Sequence, residues 1–246
     1  MVEVKNGTDM FLFEYAAYSS GLNSGYNSTV KHTNYNVNPF NIDQPAVLFE
    51  EDNTDNPNLK TLSILGPRPM HLYGFDDREY YSALTNYLRD TIKDFYNNDN
   101  VANVISGGSQ GAAQIAFWAT EKLVRLGYPI NNIVYRPFEK QYDRWNTKGM
   151  FGVEEYNHMI SCAEKVVDCS TNVFDAIAAY KKQDIAMIND ADIILIIQHA
   201  HNKKEDSVES IRIERSLDSG KPTYLLENDI TKVGGVLNCY FNLVLL

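Results

Sequence analysis

The sequence predicts an α/β fold built on a doubly wound, mainly parallel sheet with helices on both faces, and three observations lead there. From Thr61 onward, short β-rich runs alternate with longer stretches of helical periodicity. The run Ile193-Ile194-Leu195-Ile196-Ile197 is apolar at every position, as a strand covered on both faces requires. A glycine-rich segment, Ser106 to Gly111, falls where one strand run passes into a helical one.

Strands are expected at Thr61–Leu65, Ala102–Ile105, Asn132–Tyr135, Lys165–Cys169, Ile193–Ile197 and Thr223–Leu226. Helices are expected at Asp77–Tyr96, Gln110–Leu126, Gly152–Cys162, Val173–Asn189 and Val208–Ser219. Such alternation implies right-handed crossovers, so the architecture is Rossmann-like. Asp76 with Glu79 three residues later has the form of a capping box ahead of the stripe Tyr80, Leu84, Leu88, Ile92. The apolar terminus Val236–Leu246 is expected to add a strand or to pack in an interface, which makes a homo-oligomer plausible. Residues 1–60 are rich in Asn, Tyr, Ser and Thr with weak periodicity, and read as an N-terminal extension to a domain over residues 61–246.

A chain of 246 residues, 44% hydrophobic and 22% charged, can bury a full core. Its net charge of −10 opposes a grip on nucleic-acid backbone but leaves room for a small anion held by a few aimed N–H groups. No apolar run suffices for a bilayer, and Met1–Met10 lacks a signal core, so a cytoplasmic location without membrane contact is expected. Cys162, Cys169 and Cys239 are scattered and odd in number, and read as buried thiols rather than a disulfide framework or metal ligands. His199-x-His201 with Glu205 and Asp206 reads as a solvated loop, and no metal or cofactor is expected.

Function in such a sheet belongs at the carboxyl ends of the strands, where helix N-termini present unpaired N–H groups. The glycines at 107, 108 and 111, with Ser106, Ser109 and Gln110, have the form of a phosphate cradle. They match neither the P-loop nor GxGxxG, which excludes a Walker-type ATPase. The first strand ends in Gly66-Pro67-Arg68-Pro69, whose guanidinium can fork onto an anion. The third ends in a loop holding Phe138, Glu139, Gln141, Arg144 and Trp145, able to hydrogen-bond a ribose or base and to stack on it.

The order and spacing of Gly66-Pro67-Arg68-Pro69, Ser106-Gly107-Gly108-Ser109-Gln110-Gly111 and Pro137-Phe138-Glu139-x-Gln141-x-x-Arg144-Trp145 resemble the YpsA-like branch of the SLOG superfamily. That Rossmann-like group also holds the DprA DNA-processing proteins and the LOG-type phosphoribohydrolases. Ala163 to Val167 and Ala186 to Asp192 continue the similarity, which covers roughly Thr61 to Leu226. The resemblance implies a nucleotide-derived ligand held between the Arg68, Gly107–Gly111 and Glu139–Trp145 loops. The family's Asp after the last glycine is replaced by Ala112-Ala113-Gln114, and its later Gly-Gly-Thr loop by Asp206 to Ser210. The LOG-type Pro-Gly-Gly-x-Gly-Thr-x-x-Glu motif is absent.

Two functions are therefore weighed. One is binding of a cyclic nucleotide or ADP-ribose-like molecule for sensing or sequestration. The other is hydrolysis of a nucleotide N-glycosidic bond, with Glu139 as base or oxocarbenium stabiliser and Asp192 or Asp190 as partner. The missing Asp favours binding. Single-stranded DNA binding in the manner of DprA rests on fold analogy and is opposed by the acidic balance.

Overall fold

In a computed structural model of the chain, the residues described are 58–145, 150–170, 175–201 and 208–246. The extension expected over residues 1–60 lies almost wholly outside them, as do Glu205 and Asp206 and the expected helix start at Val173. β1 (Lys60–Leu65) leads through a short 3-10 turn at Pro69–His71 into α1 (Arg78–Asp99), followed by β2 (Val101–Gly107), α2 (Ala112–Arg125) and β3 (Asn131–Arg136). A second 3-10 turn, Gln141–Arg144, precedes α3 (Val153–Cys162), β4 (Lys165–Asp168), α4 (Ala176–Asn189) and β5 (Ile193–His199). The chain closes with α5 (Val208–Asp218), β6 (Thr223–Val233) and β7 (Val236–Leu245).

The seven strands lie in the order β4-β3-β2-β1-β5-β6-β7, with every pair parallel except β6 and β7. Strand periodicity explains how one sheet fills two cores, because successive side chains point to opposite faces. Ile193, Leu195 and Ile197 of β5 join Leu84, Leu88 and Ile92 of α1 and Ile115, Ala116 and Ala119 of α2. Ile194 and Ile196 instead meet Leu65, Ile105 and the Met187–Ile188 end of α4. Each fully buried isoleucine of this strand contributes roughly 1.5–3 kcal/mol. A smaller cluster of Phe117, Val134, Tyr156 and Met159 seats α3 beside α2 and β3.

Three local expectations are corrected. The capping box at α1 does not form: the residue before the helix is Asp77, with no side-chain cap bond, and Glu79 pairs with Lys232 at the far end of β6. β6 runs well beyond Leu226, because Gly234 and Gly235, both at positive φ, turn it into the antiparallel β7. The thiols are not uniformly buried: Cys162 is exposed, and Cys169 and Cys239 are half-buried. Among the described residues no helix is long and apolar enough to cross a membrane.

Candidate ligand site at the carboxyl edge

From β1 the chain winds outward through β2, β3 and β4, then returns across the sheet to place β5 on the other side of β1. The winding direction reverses between β1 and β5, and at such a switch point the loops above neighbouring carboxyl ends diverge and leave a crevice. Three of the loops named from the sequence converge beside it.

The glycine loop is shaped by close approach to other parts of the chain. Gly111 has φ +88, and a Cβ there would stand 2.7 Å from the carbonyl oxygen of Pro67 and 2.9 Å from the ring of Pro69. The same Pro67 carbonyl accepts from the N–H of Ala112 at 3.0 Å, so the β1 loop caps the first donor of α2. A Cβ at Gly66 would lie 2.6 Å from that of Ala112, and one at Gly107 2.9 Å from Nε2 of Gln183. At Gly108 the space is taken by the amide of Gln141, which donates to the Gly108 carbonyl at 2.7 Å. Gln110 donates to the carbonyl of Phe151 at 2.8 Å. Ser106 is wholly buried within β2, which removes its side chain from direct ligand contact, whereas Ser109 is half-exposed on the loop.

Arg68 is exposed above this loop, its guanidinium carbon 4.8 Å from the ring centroid of Tyr180 on α4. Tyr180 in turn meets Phe138 edge to face. Phe138 is buried, so it props Tyr180 and Arg68 rather than offering a free stacking face. Glu139 is exposed, next to Lys140 in the left-handed region at φ 56. Gln141 is fully buried, and Trp145 packs edge to face on Tyr156. The backbone of Arg144 ends the 3-10 turn, and its side chain is outside the described residues.

The two carboxylates expected to share a pocket do not meet. Asp192 precedes β5 and accepts from the N–H of Thr61 at 2.8 Å, at the amino edge, while Glu139 follows β3 at the carboxyl edge. Asp190 accepts from the hydroxyl of Tyr135.

Several residues that shape this edge were not anticipated. Arg212 of α5 forks onto Asp184 of α4 with two bonds of 3.0 Å and donates to the Gly66 carbonyl at 2.7 Å. Gln183 donates to the carbonyl of Tyr135 at 2.6 Å. Tyr180, Gln183 and Asp184 share one face of α4 by their spacing of three and four, a signal that could have found them. Across the switch point, Tyr73 hydrogen-bonds Asn228 and its ring meets that of His199. Burial pushes the Tyr73 phenol well above its ordinary range and lowers His199, so both stay neutral near pH 7.

An exposed guanidinium, a loop hydroxyl and the amino end of α2 can hold an anion. Asp184 is committed to Arg212 and Asp168 to Arg136, whereas Glu139 and Asp143 of the loop after β3 are exposed. The sheet order and this edge define a Rossmann-like domain of the doubly wound class. Within that class the chain belongs to the YspA SLOG family, whose model matches residues 62–227. It is also 31% identical over 91 residues to a UPF0398 protein of Lactobacillus helveticus (strain DPC 4571), a match that covers 36% of this chain and 47% of that relative. The chain thus spans about half the length of the curated relative it matches.

Proposed function

We propose that this chain binds a phosphate-bearing nucleotide or nucleotide-derived small molecule, of the cyclic-nucleotide or ADP-ribose kind, for sensing or sequestration. The observation that carries this reading is Arg68, exposed at the switch point on the ring of Tyr180 and beside the start of α2. A cation so placed has a forked donor set for a phosphate and little to lose on leaving its aromatic rest. The separation of Glu139 from Asp192 weighs against N-glycosidic cleavage, which calls for two carboxylates about one substrate.

The test is thermal-shift screening of the full chain with nucleotides, cyclic nucleotides and ADP-ribose derivatives, beside mass spectrometry of small molecules released on denaturation. An intact nucleotide that stabilises the wild type but not Arg68→Ala supports binding. Release of a free base and a ribose phosphate would replace it with hydrolysis, and no response to any nucleotide would remove the reading.

Self-association through β7 belongs to the same proposal. The strand is ten residues without a charge or a proline, lies at the edge of the sheet formed by the described residues, and exposes Val236, Tyr240, Val244 and Leu245. Edge strands of monomers ordinarily carry charge or proline against pairing. Light scattering should show an oligomer that Tyr240→Lys dissociates.

A further inference from the structure

Away from the carboxyl-edge loops, α2 and α3 bring together a carboxylate, an imidazole and a thiol, and we propose that Glu121, His158 and Cys162 bind a zinc-type divalent cation. His158 and Cys162 are four residues apart on α3, so both project from one face. Glu121 enters from α2, its Oε1 at 3.0 Å from His158 Nε2. Cys162 Sγ lies 3.7 Å and 3.9 Å from the two ring nitrogens of His158, and one donor atom from each residue falls within 4.8 Å of the others. Zinc bonds of about 2.0 Å to N or O and about 2.3 Å to S set tetrahedral donors roughly 3.3–3.5 Å apart. Reaching that spacing takes a turn of the Cys162 thiol and the His158 ring toward Glu121.

The donor chemistry selects the ion. A thiolate with an imidazole suits zinc and disfavours magnesium and calcium, which want oxygen alone. Glu121 is buried while Cys162 is exposed, so the cation enters from solvent and keeps a water at its fourth position. Binding converts the thiol to thiolate and releases one proton to solvent, with no change of oxidation state. Arg125 is the competitor: its Nη2 donates to the same Glu121 oxygen at 2.7 Å, but nearly half its side chain is exposed and it can swing away. The ion would fasten α3 to α2, and α3 carries Tyr156, on which Tyr142 and Trp145 of the β3 loop rest.

The experiment uses the untagged full chain, freed of metal by chelation and titrated with cobalt(II) and then zinc(II). One equivalent of cobalt should give a thiolate-to-cobalt charge-transfer band and the intense visible bands of tetrahedral coordination, both erased by zinc. Cys162→Ser should abolish the charge-transfer band, His158→Ala should weaken zinc binding at least tenfold, and Arg125→Ala should tighten it. The exposed position of Cys162 lets its variant fold, which circular dichroism checks. A chain that gives no thiolate band, or one that survives Cys162→Ser because Cys169 or Cys239 supplies it, overturns the proposal.

Discussion

The side-chain amide of Gln141 donates to the carbonyl of Gly108 from the space that a Cβ on residue 108 would occupy, so the loop after β3 is locked to the loop after β2 by a missing side chain. Gly108→Ala should therefore destabilise the fold by about 1–3 kcal/mol through overpacking. Gln141→Leu should cost about 1–3 kcal/mol by leaving a buried carbonyl unpaired. Denaturant titration of both single variants and the double tests the contact: a coupling of about 0.5 kcal/mol or more is expected, and simple additivity would contradict it.

Arg212 ties the end of β1 to α4 from a position that is 15% exposed, and its partner Asp184 is 8% exposed. Arg212→Met leaves that carboxylate buried without its cation and should cost about 3–5 kcal/mol. Adding Asp184→Asn should restore part of the loss, because the uncompensated charge goes with it. Urea unfolding of the two variants reads both effects.

Arg68 and Asp192 stand at opposite edges of the sheet and should separate ligand affinity from stability. Arg68→Ala removes an exposed cation–π contact, worth about 0.5–1 kcal/mol to the fold. It should nonetheless weaken nucleotide binding roughly ten- to hundredfold, the worth of a charge-assisted hydrogen bond. Asp192→Ala should cost about 1 kcal/mol of stability through the lost bond to Thr61 and leave nucleotide binding unchanged. Calorimetric titration beside thermal melts measures the pair.

The thiols should differ in reactivity. Burial pushes the Cys169 thiol up to about 11 and raises Cys239. At pH 8 a thiol titrating near 11 is thiolate in about one molecule per thousand, so in the metal-free chain iodoacetamide should label the exposed Cys162 first, as peptide mass mapping would show. Cys169 holds its proton more tightly folded than unfolded. Its contribution is present below the ordinary thiol value of 9.0 and fades as pH rises toward about 11. Alkaline unfolding curves of Cys169→Ser should be flatter across that window.

The alternating elements could be read from the sequence because buried parallel strands are written as apolar runs, and Ile193–Ile197 is such a run on both faces. That Ser106–Gly111 carries the chain from β2 toward α2 followed from the same reading, although Ser106 and Gly107 still belong to the strand. Family membership was legible too, since the resemblance drawn from three loops spans the region that the family model matches. Other features were decided by contacts between distant segments. Glu79 looked like a capping residue until Lys232, from the end of β6, claimed it. Polar residues on α4 look like a solvated face in one dimension, whereas Gln183 and Asp184 turn inward to Tyr135 and Arg212. The distance between Asp192 and Glu139 is written in the element order, because a residue that precedes a parallel strand sits at the amino edge and one that follows a strand at the other.

The central position of β1 has a consequence for how the chain is made. Leu62 pairs on one side with Val104 and on the other with Ile193, so β1, the first strand among the described residues, is completed only when β5 emerges. Until then a nascent chain carries an open, apolar strand edge, and α4 lacks Ile194 and Ile196, the β5 side chains it packs on. Long-range parallel pairing of this kind folds slowly and leaves such edges open to wrong partners. Ribosome-bound chains that stop before Ile193 should therefore be held by chaperones, and those that extend past β6 should let go.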